Sequence, residues 1–196
     1  MSAERPLEKQ KKKADRRVRK THQALLEAFS ELVQGRRYDE IRVADILADA
    51  DVGRSTFYEH YRGKDELLVQ SMAGIFGVLA DAVDEESDPL PLEGILVHFW
   101  ENRDVARYLF AGPPARDVLP QLARALAERI EERLAARVLR RGGEPALPLR
   151  LIATQAAEAQ FALITAWLSG RAPCAPGKLA AGLRRSTLGS ISALLS

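Results

Sequence analysis

Arg54, Ser55 and Thr56 open a short segment framed by two breaks, Asp51-Val52-Gly53 before it and Arg62-Gly63 after it. A guanidinium at the first position of a helix can grip a guanine O6/N7 edge or a phosphate with two parallel hydrogen bonds. The two hydroxyl side chains behind it are short enough to let a backbone come close. Tyr58 and His60 follow at spacings that share the outward side of the same segment. This set suits polar recognition of a nucleic acid groove and supplies no nucleophile–base pair. Phe57 and Tyr61 fall on the opposite side and are expected to point inward.

The elements that must position these groups are helices. Apolar Leu25, Leu26, Phe29, Leu32 and Val33 recur at helical spacing, so a first helix is expected from a cap at Thr21 to about Gln34, with Gly35 as its stop. Val43 to Ala50 reads as a second, short helix and Arg54 to Tyr61 as a third. Asp51 tolerates a left-handed backbone, and Gly53 is an acceptable though weak cap. Asp65-Glu66 suits the positive end of a long fourth helix running to about Glu86. Shorter helices follow at Leu92–Glu101 and Asp104–Phe110. Asp117 to Arg141 is long and amphipathic, its charged side read as a solvated face of i,i+4 pairs. Two final helices, about 147–168 and 177–195, complete the chain. The first of them is apolar almost all round, which demands burial on both sides. No alternating strand pattern occurs.

The chain is therefore expected to be all-α with about nine helices. They divide into a basic arm (1–20), a three-helix helix-turn-helix domain (21–68) and a helical body (69–196). Two short helices about a three-residue break fit a helix-turn-helix, whose second helix enters the major groove. The string from 41 to 68, IRVADILADADVGRSTFYEHYRGKDELL, resembles the TetR/AcrR family of bacterial transcriptional regulators, closely so over residues 21–68. Ile41, Val43, Ile46, Ala50, Val52, Thr56-Phe57-Tyr58, Tyr61, Lys64 and Leu67-Leu68 carry the resemblance. It implies DNA contacts by Tyr58, His60 and Lys64 on phosphates, beside Arg54, Ser55 and Thr56, with Arg42 and Ala44 near the backbone on the other side of the groove. It also implies a small-molecule pocket in the C-terminal body, for which His98, Phe99, Trp100, Tyr108, Phe110, Gln155, Glu158 and Phe161 are the candidate lining. A homodimer through the last two helices would hold two readers about 34–36 Å apart. The expected function is a ligand-responsive repressor that binds a palindromic double-stranded operator and is released by a hydrophobic or amphipathic effector. A helical ligand-binding or redox-sensing dimer without specific DNA binding is the competing reading.

Net charge is +2 over 196 residues, but it is unevenly placed. Residues 1–20 hold nine Lys/Arg against Glu4, Glu8 and Asp15, whereas 21–64 hold six basic and eight acidic residues. Long-range attraction to phosphates is thus expected from the arm. One cysteine, Cys174, excludes a disulfide framework and a multi-cysteine metal site, leaving a weak redox candidate. H-E-x-x-H, G-x-S-x-G and G-x-G-x-x-G are all absent, so neither catalysis nor a cofactor is expected. The charged N-terminus lacks the apolar core of a signal peptide, and no apolar run reaches about 18 residues, which together predict a cytoplasmic protein without a membrane segment.

Overall fold

The computed structural model describes residues 4–195, and the side chains of residues 4–15 lie outside that description. The chain forms two compact units that divide between Ser71 and Met72. Among the described residues there are ten α-helices, one 3-10 turn and no strand.

The first unit holds α1 (Glu4–Gly35), the 3-10 turn Tyr38–Glu40, α2 (Val43–Ala50), α3 (Arg54–His60) and α4 (Lys64–Ser71). α1 does not begin at Thr21 but at Glu4. Pro6 lies in its first turn, where a missing N–H costs nothing. The stretch that follows is mostly Lys, Arg, Gln, Glu and Ala, straight-chain or small residues that lose little side-chain freedom in a helix. The basic run therefore continues a helix instead of trailing from one. Its arm side chains up to Asp15 lie outside the described residues. The core of the unit joins Leu25 and Phe29 of α1, Ile41 ahead of α2, Ile46 of α2, Phe57 of α3, Tyr61 just after it and Leu67 of α4, all essentially without solvent contact. Phe57 and Tyr61 thus face inward, as their spacing predicts, and stack at 5.4 Å between ring centroids.

The second unit holds α5 (Ala73–Asp81), α6 (Leu90–Glu101), α7 (Arg103–Ala111), α8 (Ala115–Arg141), α9 (Leu149–Leu168) and α10 (Pro176–Leu194). The single long helix expected over 65–86 is broken at Met72, where φ is −90° and ψ 2°, and it ends at Asp81. Ser71 Oγ donates to the Leu68 carbonyl at 2.7 Å, the side-chain competition that disfavours a helix interior. This break supplies the tenth helix. α8 and α9 pack against each other, with α5, α7 and α10 closing around them. Leu122, Leu126, Ile130 and Leu134 of α8 meet Ile152, Ala153, Ala157 and Ile164 of α9 in a fully buried core. The alanines let two backbones approach closely.

The charged side of α8 differs from expectation. Arg124–Glu128 (3.3 Å) and Arg129–Glu132 (3.6 Å) are the local pairs foreseen. The C-terminal half instead reaches across to residues 81–86. Arg133 Nε donates to Asp81 at 2.7 Å, Arg137 Nη1 to the Val83 carbonyl at 3.0 Å, and Arg141 Nη2 to Glu86 at 2.6 Å. From α10, Arg184 Nη2 donates to the carbonyls of Asp84, Glu85 and Ser87 at 2.9–3.1 Å. With Arg140, 3.4 Å from the Asp84 carboxylate, five arginines pin the end of α5 and its connection to α6, Arg137 and Arg184 by donating to backbone carbonyls and the others by meeting carboxylates. Arg184→Met, which keeps the stem and removes the donors, is expected to cost the unit about 1–2 kcal/mol. Urea unfolding followed by tryptophan fluorescence measures it, since both tryptophans, Trp100 and Trp167, belong to this unit.

Candidate nucleic-acid interface

α2 starts where the Asp45 carboxylate turns back to accept the Arg42 backbone N–H at 2.8 Å, tying down an orphan donor of the first turn. It stops at Asp51, whose φ of 51° and ψ of 45° form the left-handed cap; this is the one non-glycine residue with positive φ among those described. The reversal sends Val52 and Gly53 into α3, which Gly53 caps by its extended backbone alone. α3 has seven residues, and its polar side is exposed: Arg54, Ser55, Tyr58 and Glu59 face solvent. Tyr58 is 48% exposed although aromatic, and the Arg54 guanidinium lies 5.6 Å from its ring centroid. That contact aligns the two side chains on one ridge. Thr56 and His60 are half-buried at its edges, and Arg42 and Ala44 are exposed at the start of α2. The eight nucleic-acid candidates thus belong to one small unit, five of them on α3, Arg42 and Ala44 at the start of α2, and Lys64 at the start of α4.

Lys64 is the exception in character. Its Nζ donates to the carbonyls of Tyr38 (2.6 Å) and Ile41 (2.8 Å) and sits 4.4 Å from the Tyr38 ring centroid. Two of its three N–H donors are therefore spent inside the fold. Burial pulls its ammonium below the ordinary lysine value, against the pull of Asp65 and Asp39. Tyr38 in turn donates its hydroxyl to Asp65, and burial together with that carboxylate pushes the phenol far above its usual range. At the start of α4, Glu66 accepts the Arg62 backbone N–H at 2.7 Å.

A second polar chain escaped the sequence reading. Tyr61 donates its hydroxyl proton to Gln70 Oε1 at 3.0 Å, and the Tyr61 hydroxyl oxygen lies 2.7 Å from His22 Nδ1. The His22 ring centroid is 4.6 Å from that of His60. Burial, with Glu66 nearby, pushes the Tyr61 phenol up to about 12. His22 stands 39 residues from Tyr61, and no local pattern announces such a pairing.

The candidates for a ligand site are dispersed. His98, Gln155 and Glu158 are exposed, Trp100 is 40% exposed, Tyr108 is half-buried and Phe161 is buried. Trp100 stacks on Trp167 at 5.2 Å, and Gln155 Nε2 donates to Ser190 Oγ at 2.9 Å. Three of the candidates, Phe99, Phe110 and Phe161, join an inner aromatic cluster, Phe161 lying 6.4 Å from Phe76 and 6.2 Å from Phe110, which faces Phe99 at 5.6 Å. Beside Phe161 the buried Gln160 donates to the Leu79 carbonyl at 3.2 Å while its Oε1 has no partner. Gln160 was missed, although its place between Ala156, Ala157 and Ile164 on the buried stripe was legible from i+3/i+4 spacing. A cleft of about 130 Å³ in the same unit is lined by Val78, Ala82, Pro89, Leu92 and Arg184, none of them an expected ligand residue. Cys174 is a free thiol whose backbone carbonyl accepts the Trp167 indole N–H at 2.9 Å.

Residues 25–70 match the family model for bacterial regulatory proteins of the tetR family. The uncharacterized HTH-type transcriptional regulator YxbF of Bacillus subtilis (strain 168) is 30% identical over 131 residues, 62% of this chain and 34% of that protein. The chain spans about a third of the length of the curated relatives it matches. Among solved structures, a TetR transcriptional regulator from Streptococcus agalactiae 2603V is 25% identical with a TM-score of 0.53, covering 89% of this chain and 97% of that one. The TetR-family repressor FadR of Thermus thermophilus, solved with lauroyl-CoA, shares the fold at 18% identity and a TM-score of 0.55, over 86% of this chain and 94% of its own.

Proposed function

We propose that this chain, whose residues 25–70 are a TetR-family DNA-binding domain, is a ligand-responsive transcriptional regulator that binds a palindromic operator as a homodimer. The observation that carries the reading is the exposed ridge of α3. Arg54, Ser55 and Tyr58 stand free of the core on a helix held from behind by Phe57 and Tyr61, the arrangement that a major-groove reader requires. Arg54 reads a base edge; Tyr58, His60 and the remaining N–H of Lys64 meet phosphates, with Arg42 and Ala44 on the flanking backbone.

Dimerisation through the last two helices is supported by the face that α9 leaves open. Within one chain it buries Ile152, Ala156, Ala157, Phe161 and Ile164, yet Leu151 is 54% and Leu163 40% exposed, and Ala159 and Ala162 are exposed beside them. A second copy would cover this small-residue face and meet the demand for burial on both sides. The effector is an amphipathic molecule, a chemistry supported by the aromatic cluster around Phe161 and the unpartnered oxygen of Gln160. The lauroyl-CoA held by the Thermus relative belongs to the same broad class. Effector binding weakens DNA binding by favouring a different spacing of the two readers. No helix among the described residues is long and apolar enough to cross a membrane. The regulator acts in the cytoplasm, at the nucleoid when bound.

Selection of genomic fragments on the full chain, followed by footprinting with and without acyl-CoA or aromatic ligands, tests the reading. Arg54→Ala is expected to lower the preference for the selected duplex over random DNA by about 1–3 kcal/mol with the fold intact. An unchanged preference removes Arg54 from base readout.

A further inference from the structure

Six basic residues lie between positions 21 and 64, and contacts within the first unit engage half of them. Arg36 meets Asp45 at 3.8 Å, and Arg37 meets Asp39 at 3.3 Å and Glu40 at 4.0 Å. The Lys64 ammonium is taken by the Tyr38 and Ile41 carbonyls. Arg42 and Arg54 already belong to the interface. The sixth, Arg62, is exposed, and its guanidinium meets no partner among the described residues. All five of its N–H donors are open to an outside anion.

Its backbone, in contrast, is fixed on both sides. Tyr61 before it is buried and stacked on Phe57, and the Arg62 N–H donates to the Glu66 carboxylate at 2.7 Å. After it, the Gly63 carbonyl accepts the N–H of fully buried Leu67 at 3.4 Å. A free side chain on a pinned backbone loses only its own rotamers when it grips a ligand. Its place along the reader matters as well. The first residues of a recognition helix reach base edges, and the far end of such a helix meets the sugar–phosphate backbone. Arg54 opens α3, and Arg62 lies two residues past His60, which closes it.

We propose, on the regulator reading above, that Arg62 grips one DNA phosphate per reader and clamps the far end of α3 while Arg54 reads at the near end. The guanidinium fork matches two phosphate oxygens with two parallel N–H groups, which a lysine point charge does not. Glu66 accepts the backbone N–H of Arg62 and makes no ion pair with its guanidinium, so the fork stays open. Such a contact carries no sequence information and fixes the register of the helix on the duplex. It adds affinity by releasing condensed counterion from the phosphate it neutralises.

The test uses the full chain and the tightest-binding duplex recovered from the genomic selection, with affinity measured at several salt concentrations. Arg62→Gln keeps a polar side chain and removes the charge. It is expected to lower the slope of log affinity against log salt by about 0.9 per reader, an about eightfold loss per reader near 0.1 M salt. Preference for the selected duplex over random DNA should stay level, because both present the same phosphates. Arg62→Lys keeps the charge and should restore the slope, with part of the affinity lost along with the fork. Hydrogen exchange of the α3 amides should match wild type in both variants. An unchanged slope in Arg62→Gln, a slope that Arg62→Lys does not restore, or a lost preference for the selected duplex overturns the clamp. A fall in α3 protection overturns it too, since Arg62 would then act through the fold. Failure to recover any salt-sensitive duplex overturns the regulator reading itself, whereas a recovered duplex indifferent to Arg62 overturns only the clamp.

Discussion

Removal of residues 1–17 is expected to weaken duplex binding by about a hundredfold near 0.1 M salt and to lower the slope of log affinity against log salt by about 3 to 4 per chain. The segment carries seven Lys/Arg against three acidic residues, a surplus of four, while residues 21–64 carry a deficit of two. Each phosphate neutralised releases condensed counterions and contributes about 0.9 to the slope, so four contacts account for the change. The helical backbone from Glu4 onward sharpens the expectation. At about 1.5 Å per residue, positions 4–17 form a basic first stretch of α1 roughly 20 Å long. A rod already ordered loses less entropy on meeting phosphates than a coil does, so the contacts yield more net affinity. Fluorescence anisotropy with a labelled duplex at several salt concentrations measures the effect. A truncated chain with an unchanged slope would show that the arm does not touch DNA.

Lys64→Met is expected to destabilise the first unit by about 2–3 kcal/mol, a larger loss than any single exposed residue of α3 would cause. The resemblance assigns Lys64 to a phosphate, and the structure adds a second duty. Its ammonium ties the carbonyls of Tyr38 and Ile41 to the start of α4 and rests on the Tyr38 ring. Methionine keeps the length and apolar stem and removes both charge-assisted hydrogen bonds, leaving those carbonyls short of a donor. Circular dichroism of the full chain sums the helices of both units, so hydrogen exchange of the α2 and α3 amides is the direct readout. Protection there should drop while that of α8 and α9 stays level. If protection holds and only DNA affinity falls, Lys64 acts through phosphate alone.

Much of the fold is legible in the order of the residues. The period of apolar residues placed α2, α3 and α8 within a few positions of where they lie, because each helix buries one stripe and the stripe is written in the order of residues. The turn at Asp51 was legible for a similar reason: few residues tolerate a left-handed backbone, and the one required there is among them. Boundaries set by weaker forces were not. The start of α1 depends on the propensity of a charged run with no apolar stripe to mark it, and the break at Met72 interrupts a stretch rich in apolar residues that reads as continuous.

The sequence by itself determined an all-helical chain, a short outward-facing polar helix behind a left-handed turn, and an N-terminal surplus of positive charge. These follow from residue type and spacing, which act over one or two turns of helix. Tertiary structure alone decided which polar groups meet. Lys64 finds carbonyls 23 and 26 residues away, His22 finds Tyr61 at 39, Gln160 finds Leu79 at 81, and Arg184 reaches the 84–87 carbonyls at nearly 100. Hydrogen bonds and ion pairs are short-ranged and directional, so their partners are fixed only when packing has brought distant segments within about 3 Å.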